Sequence, residues 1–294
     1  MIEDDKNGLH HLIEKELNSN DKILKPDFSQ KTGRELLAFY LQTKFKQVLL
    51  FDSKANKPVF VNVKYDLIQK FCKRLISNPE KRIMIGITGE SASGKSTICK
   101  TIANVIEGFN MPVTILTTDN YFNDISELVK KYGSFDALRD NGYDVDSPEN
   151  FQLDVLKEDL ETISHGENIN APVYLLNGTG ISLPKSRLIE SNKVIVVEGM
   201  ASMYKDIKDV FDIKVYVETD LELRKERFLT RAYTERNQDL ENAKKHWDYI
   251  LGAGERYVKP ARAEADIILN GDADLSYFCQ ILEYIYTITN NFSA

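Results

Sequence analysis

The chain has 294 residues, 38 basic and 45 acidic, for a net charge of −7, with 42% apolar and 28% charged residues. That balance is ordinary for a soluble globular protein, long enough for one large α/β domain with additions or for two modest domains, and it sets no global field for nucleic acid. The acidic start Met1-Ile2-Glu3-Asp4-Asp5 lacks the apolar core of a signal peptide, and no apolar run approaches the roughly 20 residues of a membrane span, so the expected location is the cytoplasm with no membrane partner.

Residues 1–80 read as an N-terminal α+β extension ahead of a second unit at 81–294. Leu9, Leu12, Ile13 and Leu17 mark one amphipathic helix, and Leu36, Leu37, Tyr40 and Leu41 a second. Val48 to Phe51 and Val59 to Val63 predict two strands joined by a hairpin loop over residues 52–58. A helix over Tyr65–Ile76 then leads into a strand at Arg82–Thr88. From there strands and helices alternate. A helix spans residues 96–107, a strand Val113–Leu116, and a polar turn Thr118-Asp119-Asn120-Tyr121. A further helix is expected over Glu149–Ile163. Val194-Ile195-Val196-Val197 has the continuous apolar character of a strand buried on both faces. Strands at Phe211–Val217 and Asp266–Leu269 follow, and Leu275, Phe278, Leu282 and Ile285 make the last helix amphipathic. Such alternation implies a mostly parallel sheet with helices on both faces. Cys72, Cys99 and Cys279 form no C-x-x-C pair and read as buried free thiols, and the four histidines fall at no metal-ligand spacing.

Between the strand at 82–88 and the helix that follows lies Gly89-Glu90-Ser91-Ala92-Ser93-Gly94-Lys95-Ser96, a match to G-x-x-x-x-G-K-[ST] in its required strand–loop–helix setting. Backbone N–H groups of such a turn and of the helix N-terminus point at phosphates. Lys95 supplies a point charge to the outer phosphates, and the Ser96 hydroxyl suits Mg²⁺. A nucleoside triphosphate is the expected ligand. Phosphoryl transfer also needs a metal-binding carboxylate at a strand end beside this loop, and Glu198 closes the apolar run at Val197. Asp119, just past the strand at 113–116, suits either a base for an acceptor hydroxyl or a turn aspartate; spacing alone weighs the two equally. Arg224, Arg227, Arg231 and Arg236 recur on a helical segment that suits a lid over the phosphates or a solvated face. A GTPase switch would require D-x-x-G after residue 96 and a complete N-K-x-D, and neither is present.

The ordered set resembles the uridine kinase and phosphoribulokinase family of P-loop kinases over residues 82 to about 271. Gly89–Thr97 resembles the family's GxSxSGKST loop, and Asp119-Asn120-Tyr121-Phe122 its D-x-[FY]-[FY] turn. Asp146-Ser147-Pro148-Glu149-Asn150-Phe151 is similar to its D-x-P-x-x-F stretch, with Val145 in place of the preceding aromatic. Pro172-Val173-Tyr174 resembles its P-x-Y hairpin, Glu198-Gly199 its EG strand end, and Ala265-Asp266-Ile267-Ile268 its closing strand. The resemblance implies a P-loop NTPase-like α/β fold, with ATP and Mg²⁺ bound at Gly89–Thr97 and the metal at Ser96 and Glu198. It implies Asp119 as catalytic base beside Lys95, and Asp146 on vicinal ribose hydroxyls. It further implies Phe122 and Tyr174 in the acceptor pocket and Arg231 and Arg236 in the lid. Two stretches depart from uridine kinases. The lid reads Arg231-Ala232-Tyr233-Thr234-Glu235-Arg236-Asn237-Gln238 against R-D-x-x-E-R-G-R. After Tyr174 the hairpin runs Leu175-Leu176-Asn177-Gly178-Thr179-Gly180, without the family's aspartate and base-reading histidine. Residues 1–80 have no counterpart in the compact uridine kinases. The implied reaction is ATP-dependent phosphorylation of a small-molecule hydroxyl, a nucleoside first, with a sugar, sugar phosphate or other polyol as the alternative acceptor. A nucleotide-dependent regulatory switch is the alternative of another class. The family often forms homo-oligomers, and the last helix suits either that purpose or burial within the protomer.

Overall fold

The computed structural model describes residues 31–78, 80–234 and 239–293. The helix expected at Leu9–Leu17 and Arg236, expected in the lid, lie outside them. A six-stranded sheet runs in the order β1 (Phe60–Val63), β8 (Ile267–Asn270), β7 (Ile213–Glu218), β2 (Ile83–Thr88), β6 (Val194–Glu198), β3 (Val113–Thr117). All neighbours pair in parallel except β1, which lies antiparallel on β8. β6 shows why a short apolar run becomes a central strand. Val194 and Val196 face one core layer and Ile195 and Val197 the other, so the period-2 pleat buries both faces. The first layer is covered by α3 (Lys95–Gly108), through Ile98, Cys99 and Ile102, and by the last helix (Leu275–Ser293), through Tyr277, Phe278 and Ile281. That face of the last helix is therefore buried inside the protomer. The opposite layer is covered by the helix Leu153–Ser164, through Leu156, Leu160 and Ile163. Burial pushes the Cys99 thiol up to about 12, as suits an inert core cysteine.

The expected strand at Val48–Phe51 is instead the last turn of a helix, α1 (Lys31–Asp52). Leu41, Phe45, Val48 and Asp52 share one helical face, and a four-residue apolar run cannot be told from a buried helix turn by periodicity alone. Val48 sits in the main core, and Phe45 packs edge-on to Phe60 with ring centroids 5.9 Å apart. The hairpin expected over residues 52–58 is replaced by a return loop. The buried Asp52 carboxylate accepts the Val59 and Phe60 N–H groups, both at 2.8 Å. β1 then leaves this loop to pair with β8 near the far end of the chain, at Asn62↔Ile268 and Val63↔Ile267, not with a neighbour in sequence. The next helix, α2 (Leu67–Ser77), is tied to the sheet by Arg74, which pairs with Asp212 at 2.7 Å while Asp212 accepts the Met84 N–H at 2.9 Å.

The helix expected over Glu149–Ile163 begins later, at Leu153, after a single 3₁₀ turn Pro148–Asn150. Phe151 is held extended by a bridge to Phe122, which interrupts any helix there. Two short helices, Ser126–Tyr132 and Phe135–Asp140, fill the stretch that follows the Asp119 turn. The P-x-Y segment is one arm of a two-stranded antiparallel hairpin, β4 (Ile169–Tyr174) with β5 (Ser182–Ile189), in which Tyr174 faces Ser182.

Candidate active site

The glycine-rich loop leaves the carboxyl end of the central strand β2 and closes on the first turn of α3. Ala92 (φ 60°) and Gly94 (φ 95°) adopt left-handed conformations within it. Alternation of this kind turns successive N–H groups to one side, the concavity that binds phosphate oxygens. The loop is held from behind: Thr219 Oγ1 donates to the Ser93 carbonyl at 2.8 Å. Lys95 opens α3, followed by the exposed Ser96 and Thr97. The Glu90 side chain turns inward instead. It pairs with Arg224 at 2.7 Å, both side chains being largely buried, and Arg224 Nε donates to the Ser91 carbonyl at 3.1 Å. Arg224 thus belongs to the underside of the loop rather than to a moving lid.

The register of the sheet brings the remaining pieces to the same edge. Glu198 lies opposite Ile87 on β2 and Thr117 on β3. Across that edge the Ser96 hydroxyl donates to Glu198 Oε2 at 3.2 Å. Ser96 and Glu198 fit a hard divalent ion that retains several waters, the usual mode for Mg²⁺ beside phosphates. Among the described residues no cluster of three or more histidine, cysteine or carboxylate side chains offers a fuller protein cage. Gly199 follows Glu198 with φ 134°, and a Cβ there would stand 2.1 Å from Thr118 Oγ1. Only glycine allows the end of β6 to pass so close to the turn after β3. Thr118 Oγ1 in turn accepts the Ala201 N–H at 3.3 Å. Asp119, next in the chain, is half-buried at this junction.

Beyond Asp119 the walls become aromatic. Phe122 packs on Phe151 (4.1 Å between centroids) and on Tyr174 (5.3 Å), and Tyr204 stands edge-on to Phe151 (5.7 Å, 89°). The Tyr174 phenol is pushed up to about 12 by burial. Asp146 is half-buried there, and its carboxyl is pushed up to about 6. Burial is the main cause, the neighbouring charges of Asp144 and Asp119 act in the same direction, and Arg139 and Arg256 oppose them. Asp144, not singled out from the sequence, is the hub of a cluster. It accepts from Tyr249 Oη at 2.7 Å, Tyr257 Oη at 2.8 Å and Arg256 at 2.9 Å. Burial would raise its carboxyl, but those three donors outweigh burial and hold it below the ordinary range. The donors come from the helix Leu240–Ala253 and the π turn Gly254–Val258 that continues it. A π turn in that place is a frequent companion of functional sites.

The arginine-bearing helix, Leu221–Thr234, divides its cations by depth. Arg224 is buried under the loop, and Arg227 donates to the Gly271 carbonyl at 3.1 Å. Arg231 is exposed in the last turn. Sequence reasoning missed the pairing of Arg224 with Glu90, the Asp144 cluster and Tyr204, since each partner is distant in the chain. The arginine periodicity was the one signal, and it does not say which residue turns inward.

The family model for the phosphoribulokinase / uridine kinase family matches residues 84–274. A uridine kinase of Saccharomyces cerevisiae is 30% identical over 196 residues, covering 65% of this chain and 37% of the relative. A uridine kinase of Staphylococcus epidermidis is 31% identical over 188 residues, covering 63% of this chain and 86% of that protein. The matched part of the chain thus spans under two fifths of the yeast relative's length but most of the staphylococcal one. A solved structure of a kinase from Silicibacter sp. TM1040 shares the fold with a TM-score of 0.53 at 17% identity, over 68% of this chain and 95% of that one. Among the described residues no helix is long and apolar enough to cross a membrane.

Proposed function

Since the chain belongs to the phosphoribulokinase / uridine kinase family, we propose that it transfers the γ-phosphoryl group of ATP to a hydroxyl of a small molecule, a nucleoside first. The observation that carries this reading is the contact between Ser96 and Glu198 at the mouth of the glycine-rich loop, with the Asp119 turn on the adjoining strand end. When bound, the nucleotide supplies the phosphoryl group and Mg²⁺ neutralises its developing charge. Lys95 and the N-terminus of α3 hold the outer phosphates, and Ser96 and Glu198 hold the metal directly or through water. Asp119 accepts or orients the proton of the attacking hydroxyl. Asp146 accepts hydrogen bonds from vicinal hydroxyls, and Phe122 and Tyr174 line the pocket. Arg231 and Arg236 close over the phosphates as substrate enters.

A sugar, sugar phosphate or other polyol is the second reading of the acceptor. The hairpin tip after Tyr174 favours it, because Leu176–Thr179 is exposed and carries neither the aspartate nor the base-reading histidine of uridine kinases. A panel of nucleosides, sugars and sugar phosphates, assayed by ADP production, tests both. Turnover with a nucleoside alone supports the first reading, and with sugars alone the second. Near-normal turnover in Asp119→Asn would remove that residue from the role of base.

A further inference from the structure

Tyr204 is more than nine-tenths buried, and its hydroxyl has no hydrogen-bond partner among the described residues. Buried polar atoms are satisfied in the great majority of cases, so such a group marks either a cost or a ligand. Its position is fixed. The backbone N–H donates to the Ala201 carbonyl at 3.1 Å, and its own carbonyl accepts from Ile207 and Lys208, both at 2.9 Å. The ring completes the aromatic wall formed by Phe151, Phe122 and Tyr174. The charged groups that face it are Asp146, Asp144 and Asp119, with Tyr257 beside them.

The chemistry of that wall is one-sided. Ionised Asp119 and Asp146 accept hydrogen bonds and cannot donate them. An acceptor hydroxyl that donates its hydrogen bond to Asp146 keeps lone pairs that require a donor in a desolvated pocket. Burial first, and the carboxylates second, raise the Tyr204 phenol, which keeps it protonated and able to donate. Resting on the phosphotransferase reading above, we propose that Tyr204 Oη binds the acceptor directly, donating to the oxygen of the hydroxyl held by Asp146. The ligand recognised in this way is a diol or polyol, and the interaction fixes its orientation before Asp119 acts on the neighbouring hydroxyl.

Tyr204→Phe in the full-length chain tests this, with uridine, cytidine, D-ribose and ribulose 5-phosphate as acceptors. The expected result is a KM for the active acceptor raised about ten-fold, the loss of one buried neutral hydrogen bond, with the KM for ATP unchanged. Thermal unfolding without acceptor should occur at the same temperature or higher, because the variant removes an unpartnered buried hydroxyl. The matching deoxy analogue should lose the discrimination, with wild type and variant showing the same KM for it. An unchanged acceptor KM in an active Tyr204→Phe protein overturns the inference, as does a drop of several degrees in the unfolding temperature, which would mark a structural hydroxyl. Wild-type protein inert towards every acceptor instead overturns the phosphotransferase reading and the role of Tyr204 with it.

Discussion

Ser96 Oγ donates to Glu198 Oε2 at 3.2 Å, joining the first turn of α3 to the end of β6 across 102 residues of sequence. The contact pairs a hydroxyl and a carboxylate at one site, and both are oxygen ligands suited to Mg²⁺. Glu198→Gln and Ser96→Ala should each raise the Mg²⁺ concentration needed for half-maximal ADP production by about ten- to a hundred-fold, the range seen when a metal site loses one supporting group. Magnesium titrations that superimpose on the wild type would remove the pair from the metal site.

The role proposed for Asp146 predicts a pH dependence on the acceptor side. Its folded carboxyl titrates at about 6, above the ordinary value of 3.8, chiefly through burial. A raised carboxyl favours the protonated form, so this group adds stability as pH falls from about 6 towards 4 and costs stability above that window. In the proposed role function runs the other way, because the ionised group offers two accepting oxygens and its charge to a pair of hydroxyls, whereas protonation turns one of those oxygens into a donor. The kcat/KM for the acceptor should fall about ten-fold per pH unit below 6. In Asp146→Asn that limb should be absent, activity low throughout, and the unfolding temperature at pH 8 equal to or above wild type. A variant that keeps the acidic limb would assign it to another group.

Much of this architecture is legible along the chain, and the exceptions have physical causes. β6 and the glycine-rich loop are local: four apolar residues in a row and a fixed glycine spacing each carry their own structural instruction. The turn at Asp119 and the carboxylate at Glu198 are also local, but their convergence depends on strand order, with β6 between β2 and β3. Val48 misleads because the same four apolar residues satisfy a strand and a helix turn, and what separates the two is packing with distant residues, Val48 in the main core and Phe45 against Phe60. Tyr204 and Asp144 are silent in the sequence, since what distinguishes them is the company they keep in space.

Arg224 and Glu90 provide a test of loop stiffness. The pair is 2.7 Å apart with side chains 5% and 14% exposed, and Arg224 also holds the Ser91 carbonyl. Arg224→Met strands a buried carboxylate, a change that costs about 3–5 kcal/mol for a buried pair. The expected result is a matching loss of stability in chemical denaturation, together with a raised KM for ATP as the loop loses its underpinning. The double variant Arg224→Met/Glu90→Leu should recover most of the stability without restoring the KM. Equal instability in the single and double variants would mean that the charge pair is not what holds the loop.

β1 bears on the division of the chain near residue 80. Its residues precede the glycine-rich loop, yet Val59 and Val48 lie in the main core, and β1 covers the edge of β8. Asn270 N–H also donates to the Val59 carbonyl at 2.8 Å. A chain reduced to residues 81–294 would expose the β8 edge and the part of the core and of the last helix that meets α1, and an open edge invites pairing with other chains. We expect this truncation to elute as aggregate in size-exclusion chromatography and to lose cooperative unfolding. A subtler probe is Asp52→Ala, which removes the acceptor of the Val59 and Phe60 N–H groups while leaving every residue of the 81–294 segment intact. It should destabilise the full chain by about 1–3 kcal/mol, the cost of leaving buried donors unpaired. If residues 81–294 instead fold as a stable monomer with wild-type ATP turnover, β1 is an accessory strand and the division at residue 80 is one of autonomous domains.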